Sequence, residues 1–165
     1  MKHFLLAVAP LLGLGAGGAA QAGEIVRHPG APQSPILSGV SVPPDATYLY
    51  LSGQVPAPID GSKAQTDPAA YGDTKTQAIS VFRKIDAQLR SQGYALGDVV
   101  KLTVFLVGDP KLGGRQDFSG FQEAYRQFFG TTEQPNIVAR STVQVAALAN
   151  PAFLVEIEAT AAKVR

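Results

Sequence analysis

The sequence predicts a single α+β domain in which two helices cover one face of a mixed β-sheet. Three observations predict this fold class: two segments with the apolar periodicity of amphipathic helices, several β-branched or alternating segments typical of strands, and an order in which strands and helices are interleaved. The chain has 165 residues, 45% of them hydrophobic, which is enough for one domain with a substantial core.

The two helices are predicted from apolar residues that recur every three or four positions. The first helix carries such residues from Ala78 to Leu89 and is capped by Asp73 or Thr74. The second helix runs from about Asp117 to Phe129. Its aromatic stripe has helical spacing, so we assign it to the core rather than to a stacking platform: Phe118, Phe121, Tyr125 and Phe128.

The predicted strands are segments rich in β-branched residues or with alternating apolar residues. They lie at residues 24–27, 48–52, 99–107, 141–145 and 153–159. The last two are expected to form a C-terminal hairpin with its turn near Asn150. Four prolines are expected to limit regular structure between Ala31 and Pro44, and Ile59 to Gly72 is predicted to be a loop.

Residues 1–22 have the layout of a secretory signal peptide. Lys2 supplies a positive start, Phe4 to Leu14 an apolar run, and Ala20-Gln21-Ala22 a small-residue cleavage site. The alternative is a buried helix or a retained anchor, but the run contains glycines and is short for a bilayer span. The mature domain is therefore expected to cover residues 23–165, to be periplasmic or secreted, and to leave the membrane after cleavage.

The composition argues against several functional classes. A formal net charge of +1 gives little attraction for nucleic acid or an anionic membrane surface. The absence of cysteine excludes disulfides and thiolate catalysis. Two histidines, His3 and His28, are too few for a histidine-based metal site, and no usable histidine remains for a Ser-His-Asp triad. We expect no metal site and no nucleic-acid partner.

The polar positions of the C-terminal strands are the candidate site. Glu156 and Glu158 lie on one side of an otherwise apolar strand, and the neighbouring strand begins near Arg140. In one interpretation these charges are ordinary residues on a solvated face. In the other, Arg140 binds an anion bidentately and a glutamate transfers protons. The hairpin register, which the sequence does not determine, decides whether Arg140 and Glu156 share a face.

Three segments resemble motifs of the Rid (YjgF/YER057c/UK114) family. Ser52 to Pro56 is similar to its first motif. Gln77 to Gly93 and Asp98 to Leu106 are similar to its first helix and central strand, and its C-terminal signature is matched by Ala139 to Val145, Leu148, Pro151 and Val155 to Ala159. The resemblance implies a chorismate-mutase-like fold of the bacillus type and a homotrimer with clefts between its subunits. For the RidA-like branch it implies hydrolysis of 2-imino and 2-enamino acids to 2-oxo acids and ammonia, without metal or cofactor.

The resemblance also implies roles for individual residues. Arg140 matches the arginine that holds the substrate carboxylate, and Glu156 matches the glutamate that positions or activates water. Four further residues are expected to bind the substrate: Ser52, Gln54, Thr142 and Gln122. Thr142 and Gln122 stand where deaminase members often have cysteine and asparagine. The predicted function is therefore an enamine/imine deaminase, and the alternative is a non-catalytic trimer that binds small carboxylates or partner proteins in the same cleft.

Overall fold

One six-stranded mixed β-sheet carries two α-helices on one of its faces. The structure is a computed structural model that describes residues 23–164. The strands are β1 (Val26–Pro29), β2 (Leu37–Ser41), β3 (Thr47–Gln54), β4 (Val99–Val107), β5 (Ala139–Val145) and β6 (Val155–Lys163), and the helices are α1 (Thr74–Ser91) and α2 (Phe118–Tyr125). The order across the sheet is β1-β2-β5-β4-β6-β3. The predicted α+β class is confirmed.

β4 lies at the centre of the core. Its alternate side chains are fully buried in the same cluster as the apolar residues of both helices: Leu102, Val104 and Leu106. Phe82 of α1 and Phe121 of α2 belong to this cluster, with their ring centroids 6.2 Å apart. We call the side of the sheet that carries Leu102 the helix face, and the opposite side, which carries Phe105, the open face.

The helix ends follow the predicted capping chemistry. The carboxylates of Asp73 and Asp117 accept hydrogen bonds at 2.8 and 2.9 Å from backbone N–H groups in the first turns of α1 and α2. Helix α1 stops just before Gly93, which adopts a left-handed conformation with φ of 77°. Helix α2 is shorter than predicted, because hydrogen bonds between residues three apart tighten the chain after Tyr125.

β2 corrects the expectation that residues 31–44 lack regular structure. The strand lies between Pro35 and Pro43, pairs antiparallel with β1, and bridges β5 in parallel at Leu37 and Ala139. The residues between the two prolines keep their backbone N–H groups for the ladder. The prolines therefore bound the strand instead of preventing it.

The predicted C-terminal hairpin is wrong, because β5 and β6 are not neighbours. β5 pairs in parallel with one edge of β4, and β6 pairs antiparallel with the other edge. The connecting residues 146–154 cross the end of β4, where Val107 N donates to Leu154 O at 2.9 Å. Alternating apolar residues look the same whether a strand pairs with the next strand in sequence or with one between them.

Arg27 fixes the N-terminal strand β1 to the rest of the sheet. Its guanidinium donates to the backbone oxygens of Val99 and Ile137, each at 3.0 Å, and to that of Gly97 at 2.7 Å. Burial lowers the pKa of Arg27, while the nearby carboxylate of Asp98 opposes this effect. These bonds join β1 to the beginning of β4 and to the chain that leads into β5.

The connection between β3 and α1 is largely irregular, as predicted, with one short 3-10 turn at Pro68–Ala70. Across residues 23–164, no helix is long and apolar enough to cross a membrane. The predicted signal peptide at residues 1–22 lies outside the described residues.

Candidate functional site

The strand register places Arg140 and Glu156 on opposite faces of the sheet. Arg140 pairs with Leu102, so its side chain lies on the helix face, whereas Glu156 pairs with Phe105 and lies on the open face. With strands about 4.8 Å apart and a rise of about 3.3 Å per residue, their Cα atoms are about 14 Å apart. One chain therefore does not bring the two residues together, and the predicted site residues form two groups.

The first group, which we call the arginine group, consists of Arg140, Gln122 and Thr142 on the helix face. Arg140 and Thr142 are alternate residues of β5, and Gln122 is supplied by α2. The Nη2 atom of Arg140 donates to Gln122 Oε1 at 2.8 Å. Since a guanidinium has only donors, the carbonyl oxygen of Gln122 must face it and the Nε2 donor must point elsewhere.

Aromatic rings of α2 surround the guanidinium. Its Cζ atom lies 4.5 Å from the ring centroid of Tyr125, 4.9 Å from that of Phe121 and 5.9 Å from that of Phe118. Phe121 and Tyr125 are buried as predicted, but Phe118 is 45% exposed, so its assignment to the core is wrong. Phe118 is the first residue of α2, and helical spacing gives the direction of a side chain without giving its depth.

The charge of Arg140 is not balanced by a carboxylate within the part of the chain that the structure describes. Burial lowers the pKa of Arg140, and Tyr125 opposes this shift. Three polar atoms of the arginine group are buried without a hydrogen-bond partner: Arg140 Nη1, Gln122 Nε2 and Thr142 Oγ1. A partly buried cation without a counter-charge is costly, so the arginine group is suited to an anion such as a carboxylate.

The second group, which we call the glutamate group, consists of Glu156, Gly53 and Ser52. An irregularity in β3 between Leu51 and Gln54 brings Gly53 against β6, where a Cβ atom at Gly53 would overlap Glu156 Oε1. Glycine is therefore required for the carboxylate to rest on the strand. Ser52 is exposed and lines an open cleft of about 260 Å³ between β3, β4 and β6, in which the carboxylate is that of Glu158, the next residue of β6 on the open face after Glu156.

Gln54 lies on the helix face, and its amide is already hydrogen bonded. It pairs with Ile157, its Oε1 accepts from Gln88 Nε2 at 3.0 Å, and its Nε2 donates to Ser52 O at 3.0 Å. These contacts attach the end of β3 to α1. The role of Gln54 in substrate binding stays a prediction.

Sequence reasoning did not identify the site contributions of Gly53 and Phe118. A glycine inside a strand pattern often marks a bulge or the close approach of another group, and this signal was present at Gly53. The signal at Phe118 was its place directly after Asp117, a residue suited to a helix cap. The first turn of a surface helix is a position where an apolar ring is easily left exposed.

Comparison with known proteins identifies the family. Residues 40–163 match the sequence profile of the family described as Endoribonuclease L-PSP. TdcF of Escherichia coli K12, which carries the provisional name reactive intermediate deaminase, is 34% identical over 141 residues, or 85% of this chain and 95% of TdcF. The chain belongs to the Rid family.

Other Rid proteins extend the comparison. The 2-iminobutanoate/2-iminopropanoate deaminase of the mite Dermatophagoides farinae is 31% identical over 137 residues, or 82% of this chain and 92% of the relative. The crystal structure of Escherichia coli TdcF with bound serine gives a TM-score of 0.55 at 31% identity, covering 83% of this chain and 94% of that one. The Rid resemblance inferred from the three motifs is therefore confirmed at the level of family and fold.

Proposed function

We propose that this Rid-family chain is an exported RidA-like deaminase that hydrolyses 2-imino and 2-enamino acids to 2-oxo acids and ammonia. The observation that carries the proposal is Arg140, whose hydrogen-bond partner is the neutral Gln122 and whose charge lacks a carboxylate within residues 23–164. A substrate carboxylate would supply the missing anion. The deaminase names of two relatives support the reaction class.

The opposite positions of Arg140 and Glu156 favour a homotrimer with sites shared between subunits. A small 2-imino acid is much shorter than the separation of about 14 Å estimated for these residues within one chain. The arginine group of one subunit and the glutamate group of its neighbour can instead act on one substrate molecule. Exposed apolar side chains on the open face, Tyr50 and Val143, support contact with another copy. Light scattering should return the trimer mass, and a monomer mass would contradict the shared site.

In the proposed mechanism, Arg140 binds the acid and Glu156 moves the proton. Arg140 donates to the substrate carboxylate and holds C2 of the imine in place. The carboxylate of Glu156 accepts a proton from water while the water oxygen bonds to C2, which gives a carbinolamine. Glu156 delivers this first proton to the imine nitrogen as the carbinolamine forms. The hydroxyl proton of the carbinolamine then passes through Glu156 to the same nitrogen, the C–N bond breaks, and ammonia leaves as the carbonyl forms. Thr142 and Ser52 are proposed to line the pocket around the reacting acid.

An imine-decay assay tests the proposal. An amino-acid oxidase generates 2-iminobutanoate or 2-iminopropanoate in situ, and imine decay is followed with and without the protein. Arg140→Ala should lower kcat/KM at least about tenfold, because a charge-assisted contact contributes about 1.5–3 kcal/mol. Glu156→Gln should lower kcat and leave the affinity for 2-oxobutanoate nearly unchanged. Equal decay rates with and without wild-type protein would rule out the deaminase.

The alternative is a non-catalytic trimer that binds small carboxylates or partner proteins. Thr142 and Gln122 favour it, since deaminase members often have cysteine and asparagine at these positions. In that case 2-oxobutanoate binds in an Arg140-dependent manner while imines decay at the background rate. The family description also names an endoribonuclease, but a net charge of +1 offers little attraction for RNA phosphates.

Export is the part of the proposal that rests on residues 1–22 alone. N-terminal sequencing of protein from a secreting host should find Gly23 as the first residue, in the periplasmic fraction. A cytoplasmic protein that begins at Met1 would contradict export without affecting the proposed chemistry.

A further inference from the structure

Phe118 presents an exposed aromatic ring beside the guanidinium of the arginine group. Its side chain is 45% exposed, and its ring centroid lies 5.9 Å from Arg140 Cζ. The other two rings near this guanidinium, those of Phe121 and Tyr125, are buried in the core. Of the three rings, Phe118 is therefore the one that offers surface to a ligand.

The ring is held in place by its neighbours. Asp117 caps α2 directly before Phe118, with its Oδ1 atom 2.9 Å from the backbone nitrogen of Gly120. On the inner side, the ring of Phe118 packs against the buried ring of Phe121 at a centroid distance of 6.3 Å. The ring of Phe118 is therefore held by the capped start of the helix and by the buried ring behind it, and its outer side remains free in the single chain.

The distance between ring and guanidinium suits the side chain of a bound acid. A carboxylate oxygen hydrogen-bonded to the guanidinium lies about 2.8 Å from a nitrogen, which places the carboxylate carbon about 4 Å from Cζ. The first side-chain carbons of a 2-oxo or 2-imino acid then lie about 6 Å from Cζ, comparable to the 5.9 Å at which the Phe118 centroid lies. A side chain of the acid that extends from the guanidinium toward the ring can reach van der Waals contact with it, because the ring lies at a similar distance from Cζ.

We propose that Phe118 determines specificity and favours 2-imino and 2-oxo acids with large apolar or aromatic side chains over acids the size of pyruvate. The inference rests on the proposed function, because it takes the acid to be bound at Arg140. Contact with the ring removes apolar surface of both partners from water. An aromatic side chain adds the specific attraction between two rings, whereas the methyl group of pyruvate gains little.

A binding series tests the proposal. Calorimetry measures the Kd of pyruvate, 2-oxobutanoate, 4-methyl-2-oxopentanoate and phenylpyruvate for the wild type and for Phe118→Ala. We expect phenylpyruvate to bind the wild type about fivefold more tightly than pyruvate does. Phe118→Ala should remove most of this ratio. Leu112→Ala is the matched control, because Leu112 is also exposed, at 41%, and lies outside α2 and β5, which supply the arginine group, so the ratio should persist.

The other outcomes either overturn the proposal or separate it from the proposed function. If the four acids bind the wild type with the same Kd, or if the Kd ratio of pyruvate to phenylpyruvate survives in Phe118→Ala, Phe118 is rejected as a determinant of specificity. If Phe118→Ala changes the mass found by light scattering and leaves the ratio intact, the ring is covered by another copy instead of a ligand. A flat series together with intact imine hydrolysis rejects this inference alone. If affinity rises from pyruvate to phenylpyruvate but imines are not hydrolysed, the deaminase function is rejected and Phe118 remains a determinant of binding specificity.

Discussion

Gln122→Glu tests whether the uncompensated charge of Arg140 is what binds the acid. The substitution keeps the shape of the side chain and replaces the neutral amide by a carboxylate. In the structure the oxygen of Gln122 already lies 2.8 Å from Arg140 Nη2, so the new carboxylate needs no rearrangement to pair with the guanidinium. The protein would then carry internally the anion that the substrate is proposed to supply.

The size of the effect follows from the contact that the ligand loses. A hydrogen bond to a charged group contributes about 1.5–3 kcal/mol. If the internal carboxylate cancels this contribution for an incoming acid, the affinity falls about ten- to a hundredfold, since 1.4 kcal/mol corresponds to a factor of ten. Binding should therefore weaken by an amount that calorimetry resolves easily.

The assay is the Kd of 2-oxobutanoate, measured with the trimer mass and Tm of each variant. Gln127→Glu is the matched control, because it makes the same change of charge at an exposed position shortly after α2. The control should bind the acid as the wild type does. An unchanged Kd in Gln122→Glu, with mass and fold retained, would refute the argument that an unpaired Arg140 binds the acid.

Three further predictions address other parts of the molecule. Gly53→Ala should displace the carboxylate of Glu156 and lower kcat of imine hydrolysis with little change in Kd for 2-oxobutanoate; an unchanged kcat would contradict the contact. Gln77→Leu should reduce the free energy of unfolding by about 3 kcal/mol, because the buried amide makes three hydrogen bonds, to Gly72 O, Ala152 O and Leu154 N, and each partner would be left unpaired. A change in the unfolding free energy below about 0.5 kcal/mol, measured by denaturant unfolding, would refute this, because changes of that size are ordinary for substitutions at surface positions. Asp73→Ala should cost about 1 kcal/mol at neutral pH. The bond from Thr76 N lowers the pKa of the Asp73 carboxyl in the folded state below its usual 3.8. The stabilisation is therefore present above pH 3.8. The difference in unfolding free energy between Asp73→Ala and the wild type should narrow as the pH falls through the lowered folded-state pKa. A difference that is constant with pH would contradict it.

Local elements were predicted well because their signals are local. The strand predicted at residues 99–107 has those bounds in the structure, since it is a β-branched run with clear ends. The start of α1 was narrowed to Asp73 or Thr74, and the structure selects Asp73 as the cap. In each case the residues that determine the element lie within the element or next to it.

Strand pairing could not be predicted in the same way. The alternation in β5 and β6 is compatible with a hairpin, yet β4 lies between them and pairs with both. The expectation that prolines would keep residues 31–44 irregular failed for a related reason. β2 is stabilised by partners that come before and long after it in the sequence.

The candidate site shows the same limit at the level of single residues. The motifs identified Arg140 and Glu156 as the residues to consider, but their relative position depends on the register of β4 with both neighbours. Leu102 and Phe105, which pair with them, are separated by an odd number of positions, and this places the two charges on opposite faces. The ring of Phe118 near Arg140 likewise results from the packing of α2 on β5, which no local pattern encodes.

The three bonds of Arg27 join the N-terminal arm, the pair β1–β2, to residues that come much later in the sequence. They connect positions 70, 72 and 110 residues apart in the sequence, so they form only after the intervening chain has been ordered. We therefore expect the pair β1–β2 to dock late in folding and to be released early in unfolding. Its release uncovers the edge of β5 at Ala139, directly beside Arg140, while β4 is still paired on both sides. β2 covers this edge only at Ala139, so among the described residues the remainder of β5 is open on that side for pairing with another chain even when the arm is docked.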